Sequence, residues 1–263
     1  MSEGTSLDVT NLLILGLAGS AAGAVNAIAG GGSLISFPAL LALGYSPVVA
    51  NVTNAMASFP GYVGGCIGYR SELRGQGHHL KKLGAVTVAG ALVGSALLLT
   101  LPESSFRAAV GWLVLGSAAL MAFQPYIRRA LAARPQSDDQ GLTTVTALFV
   151  AQFVVAVYGG YFAAGLGILM LAVLGVFSHE SLHRVNALKS ALSLVVGVVS
   201  AAFFALRAPV AWTPALILAG FGLLGGVAGV RLAKVIPATL LHYGVVIAGL
   251  TVGTILVVQN GIS

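Results

Sequence analysis

From Asp8 to Arg70 the chain runs without one Asp, Glu, Lys or Arg between them, and Gln140 to His179 is a second such stretch. A domain in water cannot leave that much chain uncharged, because its outer surface needs ionic side chains. Shorter charge-free stretches cover 83–102, 108–127, 190–206, 208–230 and 235–263. A helix that crosses a bilayer needs about 20 apolar residues, and these stretches have that length or a multiple of it. With 57% hydrophobic and 8% charged residues and a mean hydropathy of +0.97, a soluble enzyme is excluded. The formal net charge of +6 would suggest nucleic acid in a soluble protein. In an apolar chain it marks cytoplasmic loops instead. A single cysteine, Cys66, leaves no internal disulfide to form, and the weakly acidic N-terminus does not read as a cleaved leader.

Glycine and proline clusters divide the long stretches. Cuts at Gly30-Gly31-Gly32, Gly44-Tyr45-Ser46-Pro47 and Ala164-Gly165 predict ten segments, at 9–29, 33–44, 47–69, 81–101, 106–124, 142–162, 166–178, 182–206, 211–233 and 237–258. Segments 33–44 and 166–178 are too short to cross, and each starts at glycines, so they read as half-helices. The chain also matches itself at one constant, ungapped offset: Gly30 falls on Gly165, Gly32 on Gly167, Asn51 on Asn186, Ser58 on Ser193 and Pro102 on Pro237. This predicts an all-α integral membrane protein of two five-segment repeats, 1–127 and 142–263, joined by a cytoplasmic linker at 128–141. An odd number of segments makes the second repeat inverted relative to the first. Placing the loop from Arg70 to Lys82 inside collects eleven of the thirteen Lys and Arg on that side and leaves Arg107 and Arg207 outside, the asymmetry that sets orientation in an inner, plasma membrane. Both termini are then outside.

The residues able to bind a ligand sit at the half-helices and on one polar face. A half-helix starting inside the bilayer points unpaired N–H groups and a positive dipole end into it, which is tolerable where the backbone lines a cavity or meets an anion. Gly30, Gly31, Gly32 and Ser33 would form one such end, and Gly165 and Gly167 the other. Asn51, Asn54 and Ser58 share a helix face, and the offset pairs them with Asn186, Lys189 and Ser193. Asn54 and Lys189 would lie roughly 10 Å below opposite surfaces at ~1.5 Å per residue. Asn26 and Tyr161, equivalent under the offset, stand just ahead of the glycines. No Asp or Glu falls in any apolar segment, so Lys189 has no sequence-evident counter-charge. An unpaired buried cation without acidic relays fits an anionic cargo better than a cation.

The stretch from Asn26 to Pro38, with Ser46-Pro47 and Ala50-Asn51-Val52-Thr53-Asn54, resembles the first repeat of the TauE/SafE family of sulfite exporters. Tyr158 to Ile168, followed by Arg184-Val185-Asn186-Ala187-Leu188-Lys189, resembles its second. The resemblance implies an inverted-repeat carrier for sulfite, sulfonates or related organosulfur anions. It implies no cofactor and no resident metal; the partners expected are the small anion and the lipid bilayer, with no nucleic acid, and the carrier could assemble as a homo-oligomer. Two other readings compete. One is an anion channel. The other is an intramembrane zinc protease, because His179-Glu180-Ser181-Leu182-His183 matches H-E-x-x-H; the offset sets that stretch on the turn at 44–48, where the two histidines would not share a helix face.

Overall fold

The structure, a computed structural model, describes residues 8–28, 31–133, 142–177, 181–232 and 238–261. Among these residues it contains ten α-helices and no strand: α1 (Val9–Ile28), α2 (Ser33–Ala42), α3 (Pro47–Gly68), α4 (Gly77–Thr100), α5 (Glu103–Ala132), α6 (Leu142–Tyr161), α7 (Leu166–Phe177), α8 (Leu182–Arg207), α9 (Trp212–Leu232) and α10 (Ala238–Gly261). Helix is the only open-ended element that satisfies every backbone group where water is absent. Five stretches are long and apolar enough to cross a membrane: Val9–Asn26, Gly77–Thr100, Glu103–Ala132, His183–Arg207 and His242–Gln259. Helices α6 and α9 are apolar with 20 and 21 residues. Helix α3 is as long but more polar, and its Asn51, Thr53 and Asn54 are all turned inward, none more than 2% exposed.

The two short segments are short helices, α2 of 10 residues and α7 of 12. Two helices depart most from the sequence expectation. Helix α4 starts at Gly77 rather than 81, and α5 runs from Glu103 to Ala132 rather than over 106–124. A cut made at charged residues ends a segment at the membrane surface, whereas a helix continues beyond it with its cations reaching water. The segment expected to be a linker from 128 therefore begins as helix; its residues 134–141 lie outside those described.

The main helix pairs recur when α1–α5 are exchanged with α6–α10: α1 packs on α9 as α6 does on α4, α3 packs on α8, and α5 on α10. Glycines allow the closest of these contacts. A methyl group on Gly23 would run into the Gly222 carbonyl, one on Gly94 into the Val157 carbonyl, and one on Gly225 into Ser20. Turns tie the halves together at opposite ends. Gln76 Nε2, before α4, donates to the Arg184 carbonyl at 3.2 Å, and the N–H of Ala211, before α9, donates to Thr53 Oγ1 at 3.1 Å.

The spacing between the halves is not uniform. Pro47 and Leu182 open their helices at the offset seen in the sequence, as do Gly77 and Trp212, but Ser33 and Leu166 fall short of it by two positions. Hydrogen bonds agree, since Ser36 N–H donates to Gly32 and Leu169 N–H to Gly165. The two extra positions lie in the longer α7. Gly165 thus corresponds to Gly32 rather than to Gly30.

Candidate functional site

Helices α1 and α2 form a hairpin whose tip lies inside the molecule, and α6 and α7 form another. At the first tip Gly31 has φ +91°, a conformation in which a side chain is strained, and the Gly32 N–H donates to Asn26 Oδ1 at 2.8 Å. At the second, Gly165 has φ +74° and Ala163, despite its Cβ, has φ +64°. This tip is held from several sides. The Tyr158 hydroxyl donates to the Ala164 carbonyl, and Ser117 Oγ on α5 lies 2.8 Å from Tyr158 Oη and 3.0 Å from that carbonyl. Asn51 Nδ2 on α3 donates to the Tyr161 carbonyl at 2.8 Å, satisfying an acceptor that the end of α6 leaves open.

Helix α5 passes both tips. Its Ser117 faces Gly165, and the Met121 sulfur lies where a side chain on Gly31 would go, 2.6 Å from an added Cβ. Gln124 and Arg128 continue the same face at helical spacing. They lead into a cavity of about 750 Å³.

Nine of the residues singled out in the sequence line this cavity: Asn26, Gly31 and Ser33 from the first hairpin, Ser58 from α3, Gly165 and Gly167 from the second hairpin, and Asn186, Lys189 and Ser193 from α8. The starts of α2 and α7 both border it, so the N-terminal dipole ends of two helices adjoin one space. Among the described residues no Asp or Glu lines it, and Lys189 forms no ion pair with a described carboxylate. Ser193 Oγ donates to the Met170 sulfur at 3.3 Å.

Four others are placed elsewhere. Asn51 and Asn54 do not reach the cavity: Asn54 Oδ1 accepts from Ser36 Oγ at 2.5 Å and Asn51 holds Tyr161. Their shared face points at the two hairpins, which it braces. Gly32 packs under Ala22 and Asn26, and the Tyr161 ring lies against Phe106 at 5.4 Å. Gly30, His179 and Glu180 lie outside the described residues, and His183 is exposed on the first turn of α8. The sequence reading missed Ser36, Tyr62, Gln124, Arg128 and Ser190, all of which line the cavity. Gly61 also borders the cavity, with open space where a side chain would go.

Exposed residues line part of the cavity, among them Gly61 and Gly64 on α3 and Leu223 and Val227 on α9. Tyr69, beyond the end of α3, and the exposed Arg128, near the end of α5, mark its mouth. Toward the opposite end Phe37, Phe106, Phe162 and Phe204 are buried, 1–2% exposed. Phe37 and Phe162 meet edge to face at 5.4 Å, a favourable aromatic geometry.

A family model described as sulfite exporter TauE/SafE matches residues 15–256. A Haemophilus influenzae protein named probable membrane transporter protein is 24% identical over 254 residues, covering 95% of this chain and 96% of that protein. No solved structure matches the chain.

Proposed function

The chain belongs to the TauE/SafE family of membrane transporters, and on that premise we propose that it carries a small sulfur oxyanion, sulfite or an organosulfonate, by alternating access. What carries the reading is the lining of the cavity: the starts of two helices and Lys189 border a space that no described carboxylate lines. Oriented N–H groups and a low-dielectric cation favour an anion, and an anion offsets the cost of keeping Lys189 away from water. Gly31, Ser33, Gly165 and Gly167 supply backbone approach, Lys189 the charge, and Asn26, Ser58, Asn186 and Ser193 the neutral contacts. Asn51, Asn54 and Tyr161 position the hairpins rather than touch the anion.

The two repeats are inverted relative to one another in the inner membrane, with the mouth at Arg128 on the cytoplasmic side. The aromatic cluster at Phe37, Phe106 and Phe162 is then the closed outer gate. Rocking of one half on the other would separate these rings while the turn at Gln76 and the start of α8 close the inner side.

The test is anion binding to the purified protein, followed by flux in proteoliposomes. Sulfite or a sulfonate should stabilise the wild type, with sulfate and chloride weaker, and Lys189→Gln should lose that stabilisation. Flux should saturate and show counterflow. Linear flux without counterflow would favour a channel, and undiminished binding in Lys189→Gln would remove the lysine from the site.

A further inference from the structure

Helices α3 and α9 are tied together at their starts, where the N–H of Ala211 donates to Thr53 Oγ1. Residues near both of their ends line the one cavity, so the two helices run in the same direction. Gly61 and Gly64 on α3 and Leu223 and Val227 on α9 are cavity wall and outer surface at once, the last two 53% and 61% exposed. That combination marks an opening in the side of the molecule. The chain offers no side chain to fill it: an added Cβ on Gly61 or Gly64 meets nothing within 4 Å, and one on Gly222 or Gly226 meets only an α1 carbonyl at 3.7 Å. Toward α1, by contrast, the neighbouring Gly225 is packed hard against the Ser20 backbone. Pro60 stands beside Gly61 on the cavity wall, and its missing N–H weakens the α3 ladder at the level of the opening.

Depth identifies what fills the opening. The four exposed positions lie roughly 6–14 Å before the ends of α3 and α9 at the helical rise, and the hydrocarbon of one leaflet is about 15 Å deep. Tyr69 and the exposed Arg70 follow α3 directly, and aromatic and cationic side chains of this kind sit at headgroup level. In a chain that spans a bilayer, an apolar opening at this depth faces acyl chains rather than water. The space behind it holds Asn186, Lys189 and Ser193, polar groups that an incomplete wall would leave against fluid hydrocarbon. We propose that a phospholipid of the leaflet around this end lodges one acyl chain between α3 and α9 as the missing part of the cavity wall, with its phosphate at Arg70. Apolar burial along Leu223 and Val227 holds the chain, and the guanidinium fits the phosphate. This lipid site is separate from the cargo site and does not depend on which solute the cavity carries.

The experiment strips the detergent-purified full chain of lipid, titrates it with phosphatidylglycerol and weighs it by native mass spectrometry. Wild type should keep one phosphatidylglycerol per chain at a detergent concentration that removes loosely bound lipid. The double variant Gly61→Leu, Gly64→Leu fills the opening from the protein side and should bind that lipid about tenfold more weakly or not at all. Both sites have room for the new side chains and leucine favours helix over glycine, so the variant should fold; thermal unfolding checks that it does. Gly220→Leu is the control, because Gly220 on α9 is exposed with equal room but does not line the cavity, and it should keep the lipid. Arg70→Gln should weaken retention as well, and retention unchanged by it would overturn the headgroup assignment. Unchanged retention in the double variant, or equal loss in Gly220→Leu, would make the lipid a general surface lipid and overturn the proposal. A wild type that keeps no lipid would overturn it too. So would a lipid-free wild-type dimer that the double variant splits into monomers, since a second copy of the chain would then fill the opening.

Discussion

Glycines with similar roles in the sequence differ once their surroundings are known. Gly31 has φ +91° and the Met121 sulfur against it, so a side chain there disturbs the fold directly. Gly167 has nothing within 4 Å of an added Cβ and borders the cavity. Gly167→Val is therefore the cleaner probe: it should lower anion affinity by about tenfold or more with an unfolding temperature close to wild type, whereas Gly31→Val should lower both. Normal affinity in a well-folded Gly167→Val would reassign that glycine to helix packing. Ala163 offers the converse case, a residue with a Cβ held at φ +64°. Left-handed backbone costs an alanine about 1–2 kcal/mol, and glycine gives back roughly 0.5–1 of that through its freer unfolded chain. Ala163→Gly should raise thermal stability slightly, and a clear fall would mean that the methyl group packs more than it strains.

Each short helix depends at the level of elements on a longer one for its position. Asn51 on α3 satisfies the end of α6, and Asn54 on the same face accepts from Ser36 on α2. One helix thus sets both hairpins. Removing the amide in Asn51→Ala leaves the Tyr161 carbonyl without its partner in a buried place, which costs about 1–3 kcal/mol. The expected outcome is a lower unfolding temperature and weaker anion binding together, in contrast to Lys189→Gln, which should weaken binding with no loss of stability. The stripe was legible as a polar face at helical spacing. That it meets hairpins rather than substrate was not, because two polar roles, bracing and binding, use the same residue types. Arg128 was missed for a related reason: a cut at charges takes a cation near a helix end as loop, yet α5 carries it on the face that passes both tips.

For the whole molecule, the decisive quantity is which side each turn faces. The orientation proposed from the charge asymmetry has the turn at Glu72 inside and the start of α5 at Glu103 outside. Single cysteines at these positions, in a Cys66→Ala background, should react with an impermeant thiol reagent from opposite sides of the membrane. Labelling of both from the same side would defeat the inverted arrangement. Alternating access adds a second expectation. A cysteine at Ser58, which borders the cavity, should be reached from the inner side, and its labelling should slow when sulfite or a sulfonate is present, because the bound anion occupies the space or shifts the gate. Labelling insensitive to every anion tested would place the transport path elsewhere.

The sequence by itself determined that the chain is helical and lives in a bilayer, because long uncharged stretches leave no other element able to satisfy its backbone. It also marked the two short segments, since glycine clusters and segment length are local properties, and the family resemblance rested on the same residues. The tertiary structure decided the rest. Whether Asn54 or Lys189 meets the cavity depends on what the opposing helix offers, and Ser36 is there for one and open space for the other. The additional length of α7, invisible to an ungapped offset, emerges only when helix starts are compared. That Arg128 on α5 and Lys189 on α8, far apart in the chain, line one cavity comes from the packing of helices in space, which no local periodicity encodes.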